Sequence, residues 1–216
     1  MYESVRLKGE PYLINAGAVF VFQTTRFRSH LSAWTNPDST FLPLDGCSDG
    51  KTADFARIAE RFSEFQGFKF HEQISYNDVF DIVKETSKRI KTEMDCLVVL
   101  IPQIGITSDF KDILEISLSV PGGKPTIIIM QAETNDLKSS FQTKVLTKID
   151  CIVAIFTAKT EVVAKLLGAA TEEMKSGDDF ANVLRAVSKQ VESANVSQSI
   201  VFSTLTKELC FQKRKF

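Results

Sequence analysis

KPTIIIMQAETND, Lys124–Asp136, opens on Lys-Pro, runs through Ile127, Ile128, Ile129 and Met130, and breaks into polar residues at Gln131-Ala132-Glu133. A short, Ile-rich run without alternation reads as a strand buried on both faces, the middle of a parallel sheet. The polar break then falls at the strand's C-terminal end. Open α/β sheets hold their ligands and working residues at that end.

Moving outward, three more apolar runs have the same character: Ala18–Gln23 (AVFVFQ), Asp95–Ile101 (DCLVVLI) and Asp150–Phe156 (DCIVAIF). Pro102 is expected to stop the second, and the PYLIN segment before Ala18 is expected to extend the first. Between them lie helical patterns. Phe55, Ile58, Ala59, Phe62 and Phe65 make one stripe over Thr52–Phe65, closed by Gly67. Ser75 with Asp78 opens a second helix, with Val79, Ile82, Val83, Thr86 and Ile90 on its inner face. A third spans Ser108–Leu118. Phe68–His71 alternates as a short strand. Beyond Phe156, helices are expected at about Glu161–Met174 and Asp179–Ser193. The stripes are Val163, Leu166, Leu167 and Ala170, then Ala181, Leu184, Val187 and Val191. Ser199–Leu205 (SIVFSTL) is a last strand, and Lys207–Phe216 a basic-ended tail. Strands alternating with helices predict a mostly parallel sheet with helices on both faces.

The totals are those of an ordinary globular chain. Of 216 residues, 44% are apolar and 25% charged, and the net charge is −1. That balance gives no field to draw nucleic acid or an anionic membrane. No apolar run has the length of a membrane span, and the first residues lack the apolar core of a signal peptide. Cys47, Cys96, Cys151 and Cys210 lie far apart, without the spacing of a zinc site or a redox dithiol. Buried free thiols of a cytoplasmic protein, with no cofactor and no metal, are expected.

An ordered set of short matches resembles the caspase family. Gly122-Gly123-Lys124-Pro125, the apolar run and Gln131-Ala132 resemble the approach to that family's nucleophile. Asp54, Ile58, Phe62, Phe65 and Gly67-Phe68, after Gly46 or Gly50, resemble its first helix. His71 and Ile74-Ser75 resemble the turn into its second, and Asp95-Cys96 the strand that ends at its catalytic His. Asp150–Phe156 and Asp179–Val191 resemble the first strand and a helix of its small subunit. Ser203-Thr204-Leu205-Thr206-Lys207-Glu208-Leu209 resembles its C-terminal segment. The set spans almost the whole chain in the family's order. The resemblance implies one caspase-like domain, a three-layer α/β/α sandwich with a mostly parallel six-stranded central sheet. Residues 1–136 would correspond to the large subunit, 137–149 to a short linker and 150–216 to the small subunit.

The departures fall on the chemistry. A cysteine protease needs a thiolate, a base and oxyanion donors. Under the resemblance Glu133 stands where the nucleophilic Cys would be, and Ile104 where the His would be. A carboxylate attacks amides poorly and opposes a developing oxyanion, and Ile accepts no proton. The family's two pocket arginines have no counterpart. No Arg lies between Arg28 and Arg57, where Leu44 or Ser48 stands, nor between Ile90 and Leu184, where the loop is only Thr157-Ala158-Lys159-Thr160. Gln131 alone keeps its pocket identity. The linker offers a single acidic cleavage candidate, Asp136.

The resemblance thus implies a caspase homologue in apoptosis without catalysis, a pseudoenzyme acting by binding. Ser199, Ile200, Val201, Phe202, Ser203, Thr204 and Leu205 would form the dimer edge, free of Pro and charge. The partner would be a catalytic caspase paralogue, as a heterodimer, or a second copy, with neither nucleic acid nor membrane involved. Activation is the favoured direction, because a chain without a substrate pocket can still order a neighbour's loops; inhibition is the alternative. A different chemistry would use Glu133 and Asp136 as an acid/base or metal pair, against the plainer reading of two solvated carboxylates. Cys47 and Cys151 lack a nearby base. The terminal QKRK reads as a solvated end.

Overall fold

Thr126–Ala132 is a strand in which every residue is buried, as a central parallel strand requires. The computed structural model to which it belongs describes residues 10–14, 17–22, 50–62, 68–74, 95–104, 124–132, 150–193 and 197–212. In chain order the elements are β1 (Tyr12–Ile14), β2 (Gly17–Phe22), α1 (Gly50–Phe62), β3 (Phe68–Ile74), β4 (Cys96–Ile104) and β5 (Thr126–Ala132). Then follow β6 (Cys151–Phe156), α2 (Thr160–Glu173), α3 (Phe180–Ser193), β7 (Ser199–Ser203) and β8 (Leu209–Phe211). Six strands form one sheet in the order β3-β2-β4-β5-β6-β7. The pairs from β3 to β6 are parallel and β7 runs antiparallel to β6. The β5–β6 ladder, Thr126↔Cys151 to Gln131↔Phe156, joins the two halves of the chain.

Alternation along the strands sorts the core into two layers. Val98, Leu100, Ile127, Ile129, Ile152, Ala154 and Phe156 face the stripes of the three helices: Phe55, Ile58, Ala59 and Phe62; Val163 and Leu167; Ala181, Leu184, Val187 and Val191. Leu97, Val99, Ile101, Ile128, Met130, Val153 and Ile155 on the opposite face are at most 3% exposed, so the sheet is covered on both sides. Each such side chain contributes about 1.5–3 kcal/mol by leaving water. The helix stripes therefore place α1, α2 and α3 as the spacing predicts. Leu166 and Ala170 are only partly buried.

Several boundaries differ from the sequence reading. The first helix, described over Gly50–Phe62, begins two residues earlier than expected, and Phe65 lies outside the described residues. The Phe68 strand continues to Ile74. Pro102 does not stop β4, which runs on to Ile104. The ladder to β5 skips from Ile101 to Ile104, and a proline without an N–H is tolerated at such an irregularity. Residues 12–14 do not extend the AVFVFQ strand. As β1 they pair parallel with β8, a strand inside what the sequence suggests is a tail. Asp179 secures β8: its Oδ1 accepts from the N–H groups of Ala181 (3.3 Å) and Leu209 (3.2 Å). Phe211 then stands edge-on to Phe62 and Phe180, with centroids 5.9 and 5.1 Å away. The last strand of the main sheet ends at Ser203 rather than Leu205, and Leu205 is fully buried. The helices read at Ser75–Ile90 and Ser108–Leu118, the loop Thr24–Asp49, Gly67 and the linker lie outside the described residues.

Candidate functional site at the C-terminal strand ends

The ladder between β4 and β5 closes with Ile104 opposite Ala132. Two positions 28 residues apart in sequence are thus neighbours, and Glu133 follows Ala132 directly in the chain. The register shift between Ile101 and Ile104 is of the kind that re-aims side chains beside sites. Gln131, opposite Phe156, is 7% exposed. Its Nε2 donates to the Ala132 carbonyl at 3.0 Å, and its Oε1 has no partner. Beyond Phe156 only Thr157, Ala158 and Lys159 precede α2. The Thr157 N–H donates to the Gln198 carbonyl (3.0 Å), and the Gln198 N–H donates back to Thr157 Oγ1 (2.8 Å). This short connection is therefore fastened to the start of β7.

Two of the described thiols lie far from these strand ends. Cys96 and Cys151 begin β4 and β6, at the opposite end of the sheet, and both are buried. Burial, with the Asp95 charge adding to it, pushes the Cys96 thiol well above its ordinary range. Burial also raises the Cys151 thiol, against the opposing effect of Thr204 Oγ1 at 3.2 Å. Burial therefore disfavours the thiolate form at both. Cys210, buried in β8, donates its S–H to the Gly177 carbonyl at 3.2 Å. Among the described residues no group of three His, Cys, Asp or Glu side chains could hold a metal ion. No helix there is long and apolar enough to cross a membrane.

The second candidate surface is β7, which ends the six-stranded sheet. Ile200, Val201 and Phe202 are each half-buried. The Thr204 N–H donates to the Cys151 carbonyl and the Thr157 N–H to the Gln198 carbonyl. Those bonds fix the antiparallel phase: Ile200 and Phe202 exchange bonds with β6, while the N–H groups of Ser199, Val201 and Ser203 point away from it. Ser199 Oγ lies 2.6 Å from Ser188 Oγ on α3 and 3.0 Å from Glu192 Oε1, which anchors the start of the edge. Thr204 and Leu205 leave the edge. Thr204 Oγ1 accepts from the Cys151 N–H at 3.1 Å, and Leu205 joins the core.

Of the residues singled out in the sequence, the structure thus brings Ile104 and Gln131 to one strand end and Ser199–Ser203 to one edge. Glu133, Asp136, Leu44, Ser48 and Cys47 lie outside the described residues. A group that sequence reading passes over sits at the other end of the sheet. Asp150 Oδ2 accepts from the Tyr12 hydroxyl at 2.6 Å, and its Oδ1 accepts from the Thr206 N–H (2.8 Å) and hydroxyl (3.0 Å). Lys207 Nζ lies 5.5 Å from the Tyr12 ring centroid. Partial burial, then the bond to Asp150, raises the Tyr12 hydroxyl above its ordinary value. Only the Asp that opens DCIVAIF hints at this group.

The chain has the α/β fold of the caspases. It is similar in structure to drICE, with a TM-score of 0.62 and 16% identity over 91% of each chain. It is similar also to caspase-1 from Spodoptera frugiperda, with a TM-score of 0.60 and 14% identity over 100% of this chain and 99% of that one. No family model matches the sequence, and no curated protein does.

Proposed function

We propose that the chain is a non-catalytic caspase homologue that regulates a catalytic caspase by strand pairing along β7, with activation as the favoured direction. The observation that carries this reading is the edge itself. Ser199, Val201 and Ser203 direct N–H groups away from β6, on a strand with no Pro and no charge. The absence of catalysis is supported by sequence. Glu133 and Ile104 take the places of the nucleophile and base, and Cys96 and Cys151 are buried at the opposite end of the sheet. Pairing would act on the partner by stabilising one arrangement of its loops over another, which needs a difference in affinity between the two.

The test is co-expression with catalytic caspases of the same organism, read by the mass of the complex on size exclusion and by peptide cleavage. A 1:1 complex with raised cleavage is expected. A complex with lowered cleavage would make the chain an inhibitor. A monomer beside an unaltered caspase would sink the reading. Cleavage by the chain alone would reverse the statement about catalysis.

A further inference from the structure

A cavity of about 240 Å³ lies where β1 meets the starts of β4 and β5. Pro11, Leu13, Ile14 and Pro125 supply its apolar lining. Ile14 belongs to the buried core, whereas Leu13 is 50% exposed, so the lining runs from the core to solvent. A small apolar group that covers Leu13 gains burial that the fold leaves unrealised. The Tyr12 hydroxyl is committed to Asp150 at 2.6 Å, so this residue offers the cavity its ring.

The two charged residues of the lining are Asp95 and Lys124, both half-buried. Leu97 pairs with Thr126 in the parallel ladder, and its N–H donates to the Pro125 carbonyl at 3.2 Å. The same register, two residues earlier, sets Asp95 beside Lys124. Adjacent strands lie about 4.8 Å apart, so one side of the cavity carries a negative and a positive group next to each other. Such a pair selects by the arrangement of charge. A lone anion gains at Lys124 and loses at Asp95, and a lone cation does the reverse. A zwitterion set antiparallel to the pair gains at both. An α-amino acid carries its ammonium and carboxylate on one carbon, close enough to meet the two groups at once. The volume is below the roughly 300–1,000 Å³ of sites for larger ligands and suits one such molecule.

We propose that this cavity binds a free α-amino acid with an apolar side chain, leucine in size. Its ammonium meets Asp95, its carboxylate meets Lys124 and its side chain covers Leu13. The site is independent of pairing along β7, and its test uses the whole chain alone. The ¹⁵N-labelled protein is titrated at neutral pH with leucine, and separately with isocaproate, isoamylamine and glycine. These probes lack the ammonium, the carboxylate and the side chain in turn. Leucine is expected to move the Leu13 and Lys124 amide signals saturably. Each of the other three should bind at least about tenfold more weakly, since each leaves one part of the site unmatched. Asp95→Asn and Lys124→Met should each remove the response to leucine. No saturable response to leucine, or an equal response to any of the other three probes, would overturn the proposal. If a variant fails to fold, the four titrations of the unaltered chain decide alone.

Discussion

The two ends of the central sheet are built on opposite terms. At the end where β4, β5 and β6 begin, the polar groups of Asp150, Tyr12 and Thr206 are matched, the Thr126 hydroxyl being the exception, and two short strands close beneath them. At the end where these strands finish, the ladder is irregular and a buried amide keeps an unmet acceptor. The first end fastens the chain's outer segments to its core. The second carries a local cost that packing elsewhere must offset. Stability and the candidate site are thus separated along the strands, so each can be perturbed without the other.

The largest effect is expected from Phe211→Ala. The ring is fully buried between Phe62 and Phe180, and truncation of such a side chain costs about 3–5 kcal/mol. Chemical denaturation should show a lower midpoint at an unchanged slope. A loss under about 1 kcal/mol would mean that β8 does not bear on the core.

Tyr12→Phe is expected to cost about 1–2 kcal/mol, since it removes a bond to a carboxylate at a partly exposed site. The pH dependence sharpens the point. The hydroxyl of Tyr12 is raised above its value of 10.0 in the folded chain, because burial and Asp150 both favour the neutral form. Its contribution is therefore intact below about pH 10 and is lost as pH rises through the folded value. The stability gap between the native chain and Tyr12→Phe should hold steady from neutral pH to about pH 9 and then close. A gap that widens with alkali would refute the assignment.

The contrast between the two ends also explains what the sequence disclosed. β5 is legible because every residue from Thr126 to Met130 fits a two-sided interior, and α1 because Phe55, Ile58, Ala59 and Phe62 keep helical spacing. β1 and β8 are not: three residues define no period, and the groups that hold them lie 138 residues apart in sequence. Pro102 misleads because sequence does not reveal which ladder bonds an irregularity releases. The candidate site is half legible. Gln131 and Ile104 stand out through family resemblance. That Oε1 lacks a partner depends on the Ala132 carbonyl taking Nε2, which only coordinates reveal.

The edge offers the smallest effect on the fold and a decisive one on assembly. The bonds that tie β7 to β6 come from Ile200 and Phe202, while the Val201 N–H points outward. Val201→Pro therefore deletes an outward donor and leaves the ladder to β6 in place, a substitution that edge strands tolerate. The expected cost to folding is about 1 kcal/mol, read by thermal unfolding. Pairing should be lost, because an approaching strand needs that N–H and would meet the pyrrolidine ring. Ile200→Pro serves as the contrast: it removes a donor inside the ladder and should cost more stability than Val201→Pro. If Val201→Pro folds and still forms the mixed complex at native affinity, the partner does not dock along β7. The two ends of the sheet would then have to be searched for the contact instead.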